Sequence, residues 1–174
     1  ITSTLQGLGA YPGDDNQFLG MLGMHGTYEA NNAMHDCDLL INIGARFDDR
    51  ITGKIDEFSP KSKKVHIDID PSSINKIIKV DLALVGDVKD VLKGINKTLK
   101  HKSIDLNKSN NQKISKWWEQ IQKWRTKNSL NFQNSNETIK PQHAVQRLYE
   151  LTKDQDTFIT TEVGQHQMWA AQHY

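Results

Sequence analysis

Three short segments of this sequence set glycine, aspartate and arginine where a nucleotide could use them. Gly44-Ala45-Arg46-Phe47-Asp48-Asp49-Arg50 follows one apolar run, Asp68 and Asp70 close a second, and Gly86-Asp87-Val88 closes a third. Glycine lets backbone approach a ligand, arginine can pair with phosphate through two N–H bonds, and a strand-end aspartate accepts hydrogen bonds from ribose hydroxyls. The set suits a dinucleotide. Alone, Arg46, Asp48, Asp49 and Arg50 suit a solvated ion-pair turn equally well, because exposed pairs are common and weak. Gly23-Met24-His25-Gly26-Thr27 is a glycine loop running into a helix, and free amides at a helix start favour an anion. His25 by itself reads more simply as structural. Gly7-Leu8-Gly9-Ala10-Tyr11-Pro12-Gly13 is not a dinucleotide fingerprint: its spacing is GxGxxxG, Pro12 interrupts it, and no full strand precedes it.

These segments need a sheet to hold them. Asp38-Leu39-Leu40-Ile41-Asn42-Ile43-Gly44 reads as a strand buried on both faces, Lys64-Val65-His66-Ile67-Asp68-Ile69-Asp70 as an alternating strand, and Leu82-Ala83-Leu84-Val85-Gly86 as a third. Asp87 is placed to cap a helix whose stripe is Val88, Leu92, Ile95 and Leu99, and a helix from Gly26 or Thr27 to Asp36 carries Ala30, Ala33 and Met34. Alternating helices and strands predict an α/β fold: a Rossmann-like parallel sheet with helices on both faces, whose ligands sit beyond the carboxyl ends of the strands. From about residue 100 to 136 the composition turns to Lys, Asn, Ser and Gln, yet Ile114, Trp117, Trp118, Ile121 and Trp124 recur at helical spacing. A second α/β unit opens at Pro141 with Ala144, Val145, Leu148 and Leu151, followed by a strand over 156–161 and the loop Glu162-Val163-Gly164-Gln165-His166-Gln167.

The 174 residues are 36% hydrophobic and 25% charged with a net charge of +1, which gives no strong field for nucleic acid or an anionic membrane. The lysines among the tryptophans lie opposite one helical stripe and read as ordinary solvation, so neither nucleic acid nor membrane is expected as a partner. Cys37 is the only cysteine, there is no zinc-type Cys/His spacing, and no apolar run approaches about 20 residues. A cytoplasmic protein is expected. Ile1 at the start and Met168-Trp169-Ala170-Ala171 near the end read as cut ends.

Taken together, Gly20-Met21-Leu22-Gly23-Met24-His25-Gly26-Thr27, Gly44-Ala45-Arg46-Phe47-Asp48-Asp49-Arg50, His66-Ile67-Asp68-Ile69-Asp70 and Val163-Gly164-Gln165-His166-Gln167-Met168-Trp169-Ala170-Ala171-Gln172 resemble acetolactate synthase large subunits in order and spacing. Almost the whole chain is covered, least closely in the Lys/Asn-rich stretch. Many relatives have valine where this chain has Ala45.

The resemblance implies an internal fragment. Residues 1–102 would be an N-terminally truncated middle FAD-binding domain, 103–137 a linker with a Trp-bearing helix, and 138–174 the beginning of the thiamine-diphosphate-binding domain. It places Thr4, Leu5, Leu22, Gly23, Met24, His25, Gly44, Ala45, Arg46, Phe47, Asp48, Asp68, Ile69, Asp87 and Val88 at FAD, and Gln165 and His166 at the thiamine diphosphate. Met24, Asp49 and Arg50 match positions near the substrate channel, Arg50 as a partner for a keto-acid carboxylate. No catalytic residue falls in this chain, and the Mg2+ ligands lie outside it. The implied activity is thiamine-diphosphate-dependent decarboxylation of pyruvate and transfer of the two-carbon unit to pyruvate or 2-oxobutyrate, in valine, leucine and isoleucine biosynthesis. The fragment alone would be inactive, and the parent a homodimer or homotetramer of large subunits with a small regulatory subunit. A glyoxylate carboligase, a pyruvate oxidase or a non-catalytic nucleotide-binding module are the alternatives.

Overall fold

The computed structural model describes residues 1–102 and 111–174, so the first part of the expected linker, 103–110, lies outside the described residues. The chain clusters into two compact units, residues 31–127 and residues 1–30 with 128–174.

The unit of residues 31–127 is built on three parallel strands, β1 (Leu39–Ile43), β2 (Lys63–Asp68) and β3 (Leu82–Val85), in the order β1-β2-β3. The register sets Ile43 beside Ile67 and Asp68 beside Val85, so the carboxyl ends of the three strands are level. A helix α1 (Tyr28–Asp36) leads into β1, a single turn α2 (Asp49–Thr52) follows it, and α3 (Val88–His101) follows β3. The expected α/β alternation is present. Asp87 caps α3 as its sequence position predicts, its carboxylate accepting from the N–H groups of Lys89 at 2.9 Å and Asp90 at 3.4 Å. The tryptophan stripe forms α4 (Asn111–Arg125), where Ile121 is buried and Trp117 meets Trp124 edge to face at 5.6 Å.

Side chains alternate between the two faces of a strand. On one face Leu40 packs with Phe47, Phe58, Ile78, Met34, Ile51 and Val80, and this is the core of the unit. On the other, Leu84 borders a groove against Val91, Ile95 and Leu99 of α3. Strand β1 departs from expectation here. Leu39, Ile41 and Ile43 remain 50%, 52% and 46% exposed, so β1 is half-buried on one face and exposed on the other. The reason is coverage: α3 borders β3 at the far side of the sheet, and β1 is the opposite edge strand.

In the other unit, residues 1–22 form a 3-10 turn at Leu5–Gly7 and a parallel bridge between Ser3 and Met21. The helices α5 (Pro141–Thr152) and α6 (Gln165–His173) pack together, with Pro141 at the first turn of α5 as expected. Their contact includes a 2.7 Å hydroxyl pair between Thr152 and Tyr174 and an edge-to-face contact of Tyr149 with Tyr174. The strand expected over 156–161 does not form, and Phe158 is 87% exposed. A strand exists through its ladder, and among the described residues that segment pairs with no neighbour.

Candidate functional site

In residues 31–127 the candidate site lies at the level carboxyl ends of the sheet. Two backbone bonds tie these ends together. The Gly44 N–H donates to the Ile67 carbonyl at 2.8 Å, and the Gly86 N–H donates to the Asp68 carbonyl at 2.9 Å. Gly44 has φ +66, a left-handed conformation that glycine adopts without strain, and a Cβ there would meet nothing within 4 Å. The glycine is therefore needed for the turn itself.

Past that turn the chain is held by Phe47. Its φ is +58, rare for a side chain with a Cβ, and its ring is buried in the core, edge-on to Phe58 at 5.7 Å and to His66 at 5.1 Å. Core packing offsets the local backbone cost and pins the loop. What Phe47 offers a ligand is backbone. The charged residues around it are outside: Arg46 pairs with Asp48 at 3.0 Å and Arg50 with Asp49 at 2.8 Å, all four more than half exposed. Each arginine can be reached by an anion. Ala45 accepts a 2.6 Å bond from the Asn42 side chain through its carbonyl, which fixes the turn.

Asp68 ends the central strand and is buried. One carboxylate oxygen, Oδ1, accepts from the Asp70 N–H at 2.8 Å; the other, Oδ2, lies 3.5 Å from His66 Nε2. Ile69 is exposed, as is Val88, and Asp87 is engaged as the α3 cap. Asp70, also at this end, caps the turn Pro71–Ser73, and bonds from the Ser72 N–H and hydroxyl hold its carboxyl below the usual carboxylate range. At the opposite end of the sheet Asp81 accepts from the Lys64 N–H at 2.8 Å, with Lys63 nearby, and its carboxyl is likewise held low.

Two residues of this unit were not among the candidates for the site. His66 is fully buried, and among the described residues neither ring nitrogen has a hydrogen-bond partner. Its place two residues before Asp68, on the same strand face, was the signal available. Cys37 donates to the Met34 carbonyl beside Ser59, and burial pushes its thiol up, so it is a poor nucleophile at neutral pH.

The remaining candidates belong to the other unit. Thr4 caps the turn Leu5–Gly7 by accepting from the Gly7 N–H at 3.1 Å, and the Leu22 N–H donates to the Ser3 carbonyl at 3.0 Å. The loop Gly23-Met24-His25-Gly26 closes with the Gly26 N–H on the Gly23 carbonyl at 2.9 Å. A Cβ at Gly26 would come within 2.3 Å of the Met21 carbonyl, so this glycine permits a close backbone approach. Met24 and His25 are exposed, and the His25 carbonyl accepts from the Gln172 side chain at 2.8 Å. Gln165 and His166, both exposed, open α6 immediately after Gly164.

Among the described residues no three His, Cys, Asp or Glu side chains gather as a metal site, and no helix is long and apolar enough to cross a membrane.

Residues 1–95 match the family described as the central domain of thiamine pyrophosphate enzymes. Over its whole length the chain is 47% identical to the acetolactate synthase large subunit of Haemophilus influenzae, covering 30% of that protein. It is 44% identical to the acetolactate synthase isozyme 3 large subunit of Escherichia coli, again covering 30%, and 46% identical to acetolactate synthase 1, chloroplastic, of Zea mays, covering 26%. The chain thus spans about three tenths of the length of the curated relatives it matches.

Proposed function

The chain belongs to the thiamine pyrophosphate enzyme family through its central domain, and from that premise we propose that it is the middle portion of an acetolactate synthase large subunit. The observation that carries this reading is identity of 44–47% along the entire chain, not in one motif, to bacterial and plant proteins of that name. In this reading residues 1–102 are the FAD-holding middle domain, 103–137 the linker, and 138–174 the start of the thiamine-diphosphate-binding domain. The parent decarboxylates pyruvate and joins the two-carbon unit to pyruvate or 2-oxobutyrate, works in the cytoplasm, and assembles as large subunits with a small regulatory subunit.

The strand-end geometry of residues 31–127 fits a flavin dinucleotide. Arg46 is exposed for phosphate, and Asp68 keeps a carboxylate oxygen that no hydrogen bond occupies among the described residues, as a ribose hydroxyl requires. Ala45, Phe47 and Asp48 present loop backbone, and Ile69, Asp87 and Val88 complete that end of the sheet. Thr4, Leu5, Leu22, Gly23, Met24 and His25 of the other unit are assigned to FAD on family resemblance. Gln165 and His166 are assigned on the same ground to the diphosphate of thiamine diphosphate, whose Mg2+ is held by residues outside this chain. When bound, thiamine diphosphate supplies the electron sink that decarboxylation needs, and FAD supplies a structural element with no net redox change. Asp49 and Arg50, and in the other unit Met24, are assigned to the substrate channel on family resemblance alone, Arg50 as the residue that holds the carboxylate of the keto acid by a charge-assisted hydrogen bond.

Flavin removal tests this. The purified full-length protein should contain FAD, lose activity when FAD is stripped, and regain it on reconstitution. A full-length protein that folds, forms acetolactate and never binds FAD would contradict the assignment of the middle domain.

A further inference from the structure

His66 is the least expected residue near the candidate site. Its side chain is wholly buried, and a buried polar group without a partner is costly, so an apolar residue of the same shape would serve a core better. The ring is also held in place. Phe47 meets it edge-on at 5.1 Å from a loop whose own backbone is fixed by core packing. Among the described residues the acidic group set against it is Asp68, at 3.5 Å, on the same face two residues later and itself buried. That carboxylate is anchored through Oδ1 by the Asp70 N–H at 2.8 Å, which leaves Oδ2 turned to His66 Nε2. The gap of 3.5 Å exceeds the ordinary N–H···O range of about 2.7–3.2 Å by only a few tenths.

From this juxtaposition we infer that His66 is a positioning residue for Asp68. Its Nε2–H fixes the plane of the Asp68 carboxylate so that the outer lone pairs are set for the vicinal diol of a nucleotide ribose. The inference rests on the flavin-dinucleotide reading above and deepens it: the site distinguishes FAD from flavins that lack the adenosine ribose. The Asp70 N–H already holds one oxygen, and closing the 3.5 Å gap to the imidazole would hold the other, leaving the carboxylate little freedom to turn away when a hydroxyl arrives.

The test uses the natural full-length protein and two ligands, FAD and riboflavin, with affinity read from flavin fluorescence. His66→Phe keeps the ring and removes the donor; His66→Gln returns an N–H near the position of Nε2. We expect His66→Phe to weaken FAD about tenfold, leave riboflavin unchanged, and His66→Gln to recover most of the loss. Asp68→Ala and the double variant complete a cycle in which removing His66 costs nothing further once Asp68 is gone. Equal FAD affinity for His66→Phe and His66→Gln, or equal losses for FAD and riboflavin, would assign His66 to packing alone. Histidine-labelled wild-type protein gives a readout that needs no substitution: FAD should shift the His66 Nε2–H resonance and riboflavin should not. An identical response to both ligands overturns the inference. If folded wild-type protein binds riboflavin and FAD equally, the ribose contact fails; if it binds neither, the flavin reading fails as well.

Discussion

Among single residues, the charged groups that matter to function are those that do more than solvate a surface. Among the described residues Arg50 pairs with its neighbour Asp49, and both are largely exposed, so this ion pair contributes little to stability. If it holds a keto-acid carboxylate, Arg50→Ala in the full-length protein should raise KM for pyruvate about ten- to a hundredfold, with kcat less affected, because the lost bond serves substrate and transition state alike. Arg50→Lys should recover part of this, since an ammonium lacks the planar fork. Unchanged steady-state constants for both variants would return Arg50 to the solvated turn. Cys37 supplies a pH prediction. Burial raises its folded value above the ordinary thiol range, so its contribution to stability is present at low pH and is lost as pH rises through that raised value. Alkylation followed against pH should lag that of a free thiol and accelerate only at higher pH; reaction as fast as glutathione at neutral pH would refute the burial. Asp87 and Asp68 were legible because capping and strand ends have local signatures. Phe47 and His66 were not: one takes a left-handed backbone and the other a buried, unpartnered ring through contacts between distant segments.

Elements were legible where their signal is internal to them. The helices after Asp87 and Pro141 carry caps and stripes in their own sequence, and both formed with those starts. Asp87→Ala should cost about 1 kcal/mol of stability by uncapping two N–H groups, read as a lower thermal midpoint. Strands depend on neighbours, and there the sequence misled. Among the described residues the segment 156–161, with its Phe, Ile and Thr, has no ladder, and β1 is apolar on a face that α3 does not cover. Asp81 joins β2 to the approach to β3, mainly through the Lys64 N–H and then through Lys63. Its folded value is lowered, so its contribution is present above the ordinary carboxylate pKa of about 4 and is lost as pH falls through the lowered value. Asp81→Asn should therefore lower the thermal midpoint at pH 7 and converge with the parent protein in strong acid. A difference that persists undiminished at the lowest pH would show that packing, not charge, is the cause.

For the whole molecule, the exposed apolar residues Leu39, Ile41 and Ile43 and the unpaired segment around Phe158 are features a complete enzyme has reason to cover, and the 174-residue polypeptide alone should form no acetolactate. The sheet and the family followed from motifs spread along the chain, because each motif sits at the end of an element whose order the fold preserves. The central claim is that the parent performs carboligation without flavin redox chemistry. It is tested most directly by giving the full-length protein pyruvate, thiamine diphosphate, Mg2+ and FAD, and recording acetolactate together with the visible absorbance of the flavin. The account predicts steady acetolactate formation while the flavin stays oxidised. Stoichiometric bleaching of the flavin by pyruvate, with no acetolactate, would contradict it.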